Sequence, residues 1–416
     1  MLKKALAMFW VLVFFTLFSA VIVNNGVLVS AESSEAWVQT YGGTDQEVAN
    51  SLVETSDGGY ALAGYTYSFG AGFSDCWLVK TDAKGNMQWN QTYGGVDYDV
   101  ARSLVETSDG GYALAGYTYS FGAGFSDCWL VKTDAKGNMQ WNQTYGTAGD
   151  DIAYSLIETS DKGYAMVGGN LLVKTDAYGN MEWNKTYSGL SASCLVGSSD
   201  GGFVIGGATN LKINYSEADF YLIKTDKHGN IEWNQTYSKE VDYAYAVVET
   251  SKGGYALVGS SGFWTIRACW LVKTDENGLM KLNKKYGELH ANYDEFASSL
   301  IETIDGGFVL AGQTNSFGAG GYDCWLIKTD ENGKMQWNQT YGGEGDDIAY
   351  SLIESSNGGY VIAGETNSFG ARDSDFLLIK TNEQGIIPEF PLWSIILPFI
   401  VAVLGVVIIY RKKLGD

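Results

Sequence analysis

The chain has 416 residues, with 53 glycines against 3 prolines, 14% aromatic residues and a formal net charge of −21. Glycine and aromatics in such amounts, with so little proline, suit many short strands joined by tight turns and exclude a collagen-like or disordered chain. The acidic balance excludes nucleic acid as a partner, because that requires a basic surface, and fits a cationic partner or bound metal cations.

Residues 1–31 read as a signal peptide. Lys3 and Lys4 supply a positive start, an apolar run follows from Ala5 to Val23, and Val29-Ser30-Ala31 fits a small-residue cleavage site. Beyond it the sequence repeats. Ser51–Gly94 returns without a change at Ser103–Gly146, and looser copies follow. A period of roughly 50 residues lies in the range of propeller blades. Lys-Thr-Asp recurs seven times, at Lys80, Lys132, Lys174, Lys224, Lys273, Lys328 and Lys380, the last with Asn382 for the acid. A glycine turn recurs seven times as well, at Gly59, Gly111, Gly163, Gly202, Gly254, Gly307 and Gly359. Each unit is expected to hold four strands. In the first these are A, Val48–Thr55; B, Tyr60–Tyr67; C, Cys76–Thr81; and D, Met87–Tyr93. Asp57-Gly58-Gly59 and Asp82–Asn86 supply turns of hairpin length, and β-branched and aromatic residues fill the strands.

Blade 3 is expected to lack the long B–C loop, since Gly168-Gly169-Asn170 runs directly into Leu171. The last copy stops after strand C, at Thr381–Gly385, whereas Trp37–Gly43 is a strand D with no blade before it. The N-terminal strand is therefore expected to complete blade 7 and close the ring. The expected fold is all-β: a seven-bladed β-propeller of four-stranded blades over residues 37–385. Lys80–Trp89 is similar to the strand-turn-strand signature of quinoprotein-like propeller repeats. The Asp57-Gly58-Gly59-Tyr60 turn and Gly64 resemble kelch-type repeats, with a different spacing. The resemblance implies the fold and says little of activity, because propellers host many unrelated functions.

Residues 386–391 form a linker containing Pro388-Glu389-Phe390-Pro391. Residues 392–410 are apolar and uncharged, long enough for a transmembrane helix, and Arg411-Lys412-Lys413 in the tail 411–416 marks the cytoplasmic end. Together they resemble the carboxy-terminal sorting signals of archaeal surface proteins. That resemblance implies a lasting single-pass anchor, or processing by a sortase-like membrane enzyme. The expected location is thus the cell surface after export, with the membrane engaged through the C-terminal helix.

In a propeller the D–A and B–C loops share one face. Acids stand just before strand A at Glu47, Asp99, Asp151, Asp242, Glu295 and Asp347, and just before strand C at Asp75, Asp127, Asp219, Asp323 and Asp375. Carboxylates, aromatics and glycines on one face suit cations or sugars, so these residues are the candidate ligand-binding set, with calcium as the metal such a face could take. The competing expectation is that each acid caps its own turn. Asp82–Asn86 lacks the further ligands and closing Glu of a calcium loop. The Lys80 column and the Glu54 column (Glu106, Glu158, Glu249, Glu302, Glu354) are expected to form structural pairs or a solvated rim.

Cys76, Cys128, Cys269 and Cys324 hold one place in four repeats and are expected to be small buried hydrophobes; Cys194 stands elsewhere. With only His228 and His290, a zinc site or a His-based triad has little material. Sequons at Asn90, Asn142, Asn184, Asn214, Asn234 and Asn338, most of them on strand D, are glycosylation candidates once the chain is exported. The reading favours a surface-anchored, non-enzymatic binding or adhesion domain for an extracellular protein or glycan. The alternatives are an exported carbohydrate-active enzyme using loop-face carboxylates and a structural coat component.

Overall fold

The computed structural model describes residues 36–209, 218–237, 241–263, 266–287, 294–370 and 373–387. The expected signal peptide, transmembrane segment and tail, most of the linker, Asn214 and His290 lie outside the described residues. No helix within them is long and apolar enough to cross a membrane.

The described strands form seven antiparallel sheets of four, each in the order A-B-C-D. In blade 1 they are Glu47–Glu54, Tyr60–Thr66, Asp75–Thr81 and Met87–Tyr93. Blade 7 takes its strand D from the other end of the chain. Trp37–Tyr41 runs antiparallel to strand C, Asp375–Lys380, with Tyr41 opposite Phe376. The expected closure by the N-terminal strand is thus the pairing observed. Blade 3 lacks the long B–C loop as expected: strand B ends at Gly168 and strand C begins at Leu171.

Strands B and C of blade 1 are buried almost throughout, because neighbouring blades cover both of their faces. Strand D alternates between exposed and half-buried, as an outer strand should. The first strands touch one another around a closed circle. Glu47–Glu54 meets Asp99–Glu106, and the contacts pass through every blade to Asp347–Glu354, which returns to blade 1. The core is divided accordingly. One apolar cluster joins Tyr41, Phe376 and Leu378 of blade 7 to Leu52, Tyr60 and Trp77 of blade 1, and six more occupy the other seams. Each fully buried large side chain here, such as Trp77, Trp129 or Phe376, contributes about 1.5–3 kcal/mol.

Directed bonds fix the seams. Toward the axis, Ser51 Oγ accepts the Leu104 amide of the next blade at 3.0 Å, and Ser351 Oγ accepts the Leu52 amide at 3.2 Å across the closing seam. At the outer edge Tyr41 Oη donates to Gly85 O at 2.6 Å, and Tyr93 repeats this with Gly137 at 2.7 Å. The remaining five strands D make the same tyrosine–glycine bond.

Two expectations are corrected. Strand A begins at Glu47 and strand C at Asp75, one residue earlier than expected, because Glu47 and Asp75 each face Thr66 in the ladder. The Lys80 and Glu54 columns do not pair with each other. Lys80 Nζ instead donates to both oxygens of Asp57 at 2.9 Å, within its own blade. The glutamates reach across seams: Glu106 Oε2 accepts the Ser56 amide at 2.9 Å, and Glu54 Oε2 the Ser356 amide at 2.8 Å. All five cysteines are buried and unbonded to one another. Cys194 lies on strand A of blade 4, at the place that Ser51 holds in blade 1. Burial pushes the Cys128 and Cys194 thiols up to about 12.

Candidate binding face

The carboxylates singled out in the sequence organise the loops of one face. The Glu47 amide donates to Ser374 O of blade 7 at 2.7 Å, and the Asp99 amide to Ser74 O of blade 1 at 2.8 Å. Asp151, Asp242, Glu295 and Asp347 donate in the same way to Ser126, Ala218, Arg267 and Tyr322. Their side chains turn inward. Glu47 accepts Thr66 Oγ1 at 2.8 Å and the Gly43 amide at 2.9 Å. Asp99 accepts Ser120 Oγ at 2.7 Å and the Gly95 amide at 2.8 Å; Asp151 accepts the Thr147 amide at 2.7 Å. Asp347 accepts the Gly343 amide at 2.9 Å, and Glu295 is bonded to Ser316. Asp242 is fully buried.

The second row holds the B–C loops. Asp75 accepts the amides of Ala71 and Gly72 at 2.9 and 3.1 Å, Asp127 that of Ala123 at 2.8 Å, and Asp323 that of Ala319 at 2.9 Å. Asp375 is buried and Asp219 half-buried beside Thr209. The two rows converge. A side chain at Gly94 would place its first carbon 2.0 Å from Asp75 Oδ1 and 2.7 Å from Asp99 Oδ2, so only glycine lets both carboxylates close over the connector. Burial, with the Asp99 charge adding to it, pushes the Asp75 carboxyl above its ordinary value despite the two amides that favour the anion. Among the described residues no three His, Cys, Asp or Glu side chains gather as metal ligands would.

Beside exposed polar residues such as Asp45 and Gln46, this face offers aromatic rings to solvent. Tyr67, Phe73, Tyr98 and Tyr119 are each at least 40% exposed, and they form one group. Phe73 stacks on Tyr98 at 5.2 Å, and Tyr98 meets Tyr67 and Tyr119 edge-on at 6.4 and 6.2 Å. Nearer the axis, a bulge in strand A sets Asn50 apart from the ladder, and the same register shift occurs at Arg102 and Tyr350. Tyr350 Oη donates to Glu365 at 2.7 Å, and the Arg102 guanidinium lies 5.8 Å from the Tyr117 ring centre. Burial pushes the Tyr350 and Tyr65 hydroxyls well up, with the Glu365 charge adding to both.

Sequence reasoning placed aromatics of the B–C loops on this face but did not single out the tyrosines or the bulge residues, yet a signal was present. Residues 37–94 and 89–146 are two copies that differ at Val38/Asn90, Thr44/Val96, Gln46/Tyr98, Glu47/Asp99 and Asn50/Arg102 alone. Four of those five pairs fall on this face or at the axial bulge.

The sequons on strand D lie on the outer edge. Asn90 Oδ1 accepts the buried Trp77 indole N–H at 3.2 Å, and Asn142 accepts that of Trp129 at 3.1 Å. Asn184 and Asn338 place Nδ2 beside Met181 and Met335, and Asn234 is exposed on strand D of blade 4. On the opposite face a cleft of about 540 Å3 between blades 3 and 4 is lined by Asp161, Lys174, Trp183, Ser199 and His228. It opens where Gly197 takes the place of the seam-bridging glutamate.

No family model matches the sequence. Over 177 residues, 37% of the chain, it is 27% identical to the regulatory protein FlaEY of Caulobacter vibrioides, and the matched stretch is 18% of that protein's length. Among solved structures, the WD40 domain of Neurospora crassa Pan2 superposes with a TM-score of 0.52 and 12% identity, covering 84% of this chain and 97% of that domain. A protein of unknown function from Bacteroides caccae gives 0.42 and 12% identity, over 68% and 93% of the two chains. The likeness to the Pan2 domain is one of fold. Fold and sheet order together define a seven-bladed β-propeller, an architecture commonly used for binding and scaffolding.

Proposed function

We propose that this chain is an exported β-propeller, held at the cell surface by its C-terminal segment, whose loop face binds extracellular saccharide without catalysing its turnover. The observation that carries the reading is an exposed ring set among polar groups on the loop face: Tyr67, 41% exposed, lines one cleft with Asp45, Gln46, Asn367 and Asp373. Aromatic rings cover the C–H faces of sugars, and a few placed polar groups fix their hydroxyls, which is how small-molecule sites divide affinity from orientation. Export and anchoring rest on the sequence: the Lys3-Lys4 start and apolar run, residues 392–410, the following basic cluster, and the likeness of Pro388-Glu389-Phe390-Pro391 to archaeal surface sorting signals. The sequons fit the same location.

The test is a printed saccharide array probed with the full chain purified in detergent, with bound sugars recovered and weighed by mass spectrometry. Selective binding of sugars that come back unaltered is the expected result. Cleaved sugars would favour the carbohydrate-active enzyme. A blank array, with capture of an extracellular protein instead, would move the ligand to the protein class.

A further inference from the structure

We propose that the saccharide subsite is the cleft at the seam between blades 7 and 1. The inference rests on the saccharide reading above. The cleft measures about 570 Å3, is open to solvent, and is lined by Asp45, Gln46, Tyr67, Asn367, Asp373 and Ser374. That volume falls within the roughly 300–1,000 Å3 of small-molecule sites.

The neighbouring seam shows why a cleft stands here. Between blades 1 and 2 the corresponding places are held by Asp97, Tyr98, Tyr119, Tyr67, Phe73 and Ser74. The backbone frame of the two seams is the same. Glu47 bonds Ser374 O at 2.7 Å where Asp99 bonds Ser74 O at 2.8 Å, and Tyr67 bonds Gln46 O at 3.0 Å where Tyr119 bonds Tyr98 O at 2.9 Å. The described side chains at these places differ. In the 1–2 seam Phe73 stacks on Tyr98, which Tyr67 and Tyr119 flank, so four rings hold those places. In the 7–1 seam three of those rings become Asp373, Gln46 and Asn367, and Tyr67 alone remains as an aromatic wall, 41% exposed.

The polar replacements are not engaged elsewhere. In three other seams the residue at the Gln46 place is tied down. Asp150 accepts Ser126 Oγ at 2.9 Å, Asp294 pairs with Arg267 at 2.6 Å, and Asp346 accepts the Tyr322 amide at 2.9 Å. Among the described residues the side chains of Gln46, Asn367 and Asp373 make no hydrogen bond. Two planar amides, two carboxylates and one ring around an open cleft present both donors and acceptors to hydroxyl groups and a stacking surface to a pyranose. The class of ligand is therefore a mono- or disaccharide unit, terminal or within a longer glycan.

The experiment uses the full chain in detergent with glucose, galactose, mannose and N-acetylglucosamine and their dimers as probes, read by saturation-transfer NMR and titration. Gln46→Tyr with Asp373→Phe gives this seam two rings of the next one and removes an amide and a carboxylate from the cleft. The expected result is binding by the wild type that weakens roughly tenfold or more in the double variant, with an unchanged melting temperature. Asn367→Ala, a milder change that fills nothing, is expected to weaken binding roughly fivefold, as loss of one hydrogen bond does. Sugar binding that both variants leave intact overturns the subsite and leaves the saccharide reading standing. No binding of any probe by the wild type, together with a blank array, overturns both.

Discussion

Lys80 is 4% exposed, yet its ammonium reaches the A–B turn, where it meets both oxygens of Asp57 at 2.9 Å and Thr81 O at 2.8 Å. The pair recurs as Lys132–Asp109, Lys174–Asp161, Lys224–Asp200 and Lys328–Asp305. Desolvation alone would raise the Asp57 carboxyl. Hydrogen bonds from Thr55, Lys80 and the Gly59 amide, with the lysine charge, outweigh it and hold the group down to about 2; Asp109 and Asp161 are held there in the same way, and Asp305 is too, by the bonds from Thr303 and Lys328. A carboxyl depressed in the folded state adds stability above its unfolded value near 4, and that stability is lost as pH falls through the folded value. Urea unfolding followed from pH 7 to pH 2 should therefore show little loss down to about 4 and a steep loss between about 4 and 2. Asp57→Asn should lower stability at neutral pH and flatten that acid limb, and an acid limb as steep as wild type in a variant lacking several of these acids would sink the idea. The Asp57 place was legible in the sequence as a turn, but its ion pair was not, because the lysine lies 23 residues away on another strand. The acids at the heads of strands A and C were legible as columns, but not the bonds they make: Glu47 and Asp75 open their strands and accept amides of their own loops, from Gly43 and from Ala71. The asparagines of strand D carry a related lesson. Asn283 accepts the Trp270 indole N–H at 2.7 Å although no sequon surrounds it, whereas blade 7 has Val38 and Leu377 in the corresponding places. In blades 1, 2, 5 and 6 the asparagine serves the buried tryptophan, whereas in blades 3 and 4 Asn184 and Asn234 stand with Leu171 and Tyr221 in the tryptophan's place.

Each outer strand is clamped by the blade that follows, and the clamp needs a glycine. Gly85, in the C–D turn of blade 1, has φ of +76°, and a first side-chain carbon there would lie 2.6 Å from the Trp37 ring. Its carbonyl accepts Tyr41 Oη at 2.6 Å. An alanine in that conformation costs about 1–2 kcal/mol in backbone strain, and the collision with Trp37 adds an overpacking cost of about 1–3 kcal/mol. Gly85→Ala should thus destabilise the protein by at least about 2 kcal/mol in denaturant melts, whereas Gly58→Ala, at φ of +80° with nothing within 4 Å, should show the strain alone. Equal losses in the two variants would mean that the clamp contributes nothing. At this scale turns and strands were readable, because glycine and alternation encode them locally. The bulge in strand A was not. It inserts one residue without a composition of its own, being Asn50 in one blade and Arg102 or Tyr350 in others. Since the residue at the bulge changes from blade to blade, this part of each blade escaped a reading built on what repeats.

The described blades form a circle closed by the strand Trp37–Tyr41, and their count of seven was readable because every blade repeats the same punctuation. Contacts across the closing seam were not readable, since the sequence does not show which side chains meet. The net charge of −21 makes this circle sensitive to ionic strength, as exposed like charges repel until salt screens them. Glu47, Asp99, Asp151, Asp347, Asp75, Asp127 and Asp323 accept amides of their own loops, so calcium should raise the melting temperature no further than monovalent salt at equal ionic strength; a calcium-specific rise lost in Asp99→Asn with Asp151→Asn would place a metal on the loop face. Closure itself gives the strongest test. Trp37–Tyr41 pairs along strand C of blade 7, Tyr41 is 6% exposed in the cluster with Phe376 and Trp77, and Trp37 packs beside Tyr60 with ring centres 5.9 Å apart. Deleting residues 37–43 removes two aromatics worth about 1.5–3 kcal/mol each when fully buried, somewhat less for the half-buried Trp37. It also removes the Tyr41–Gly85 bond and bares the edge of strand C. An uncovered edge is a template for pairing with a second chain. The deletion should lower the melting temperature and produce oligomers by light scattering, while trimming residues 32–35 should do neither. If the two truncations melt alike and stay equally monomeric, the N-terminal strand is dispensable and the ring is held by its inner strands alone.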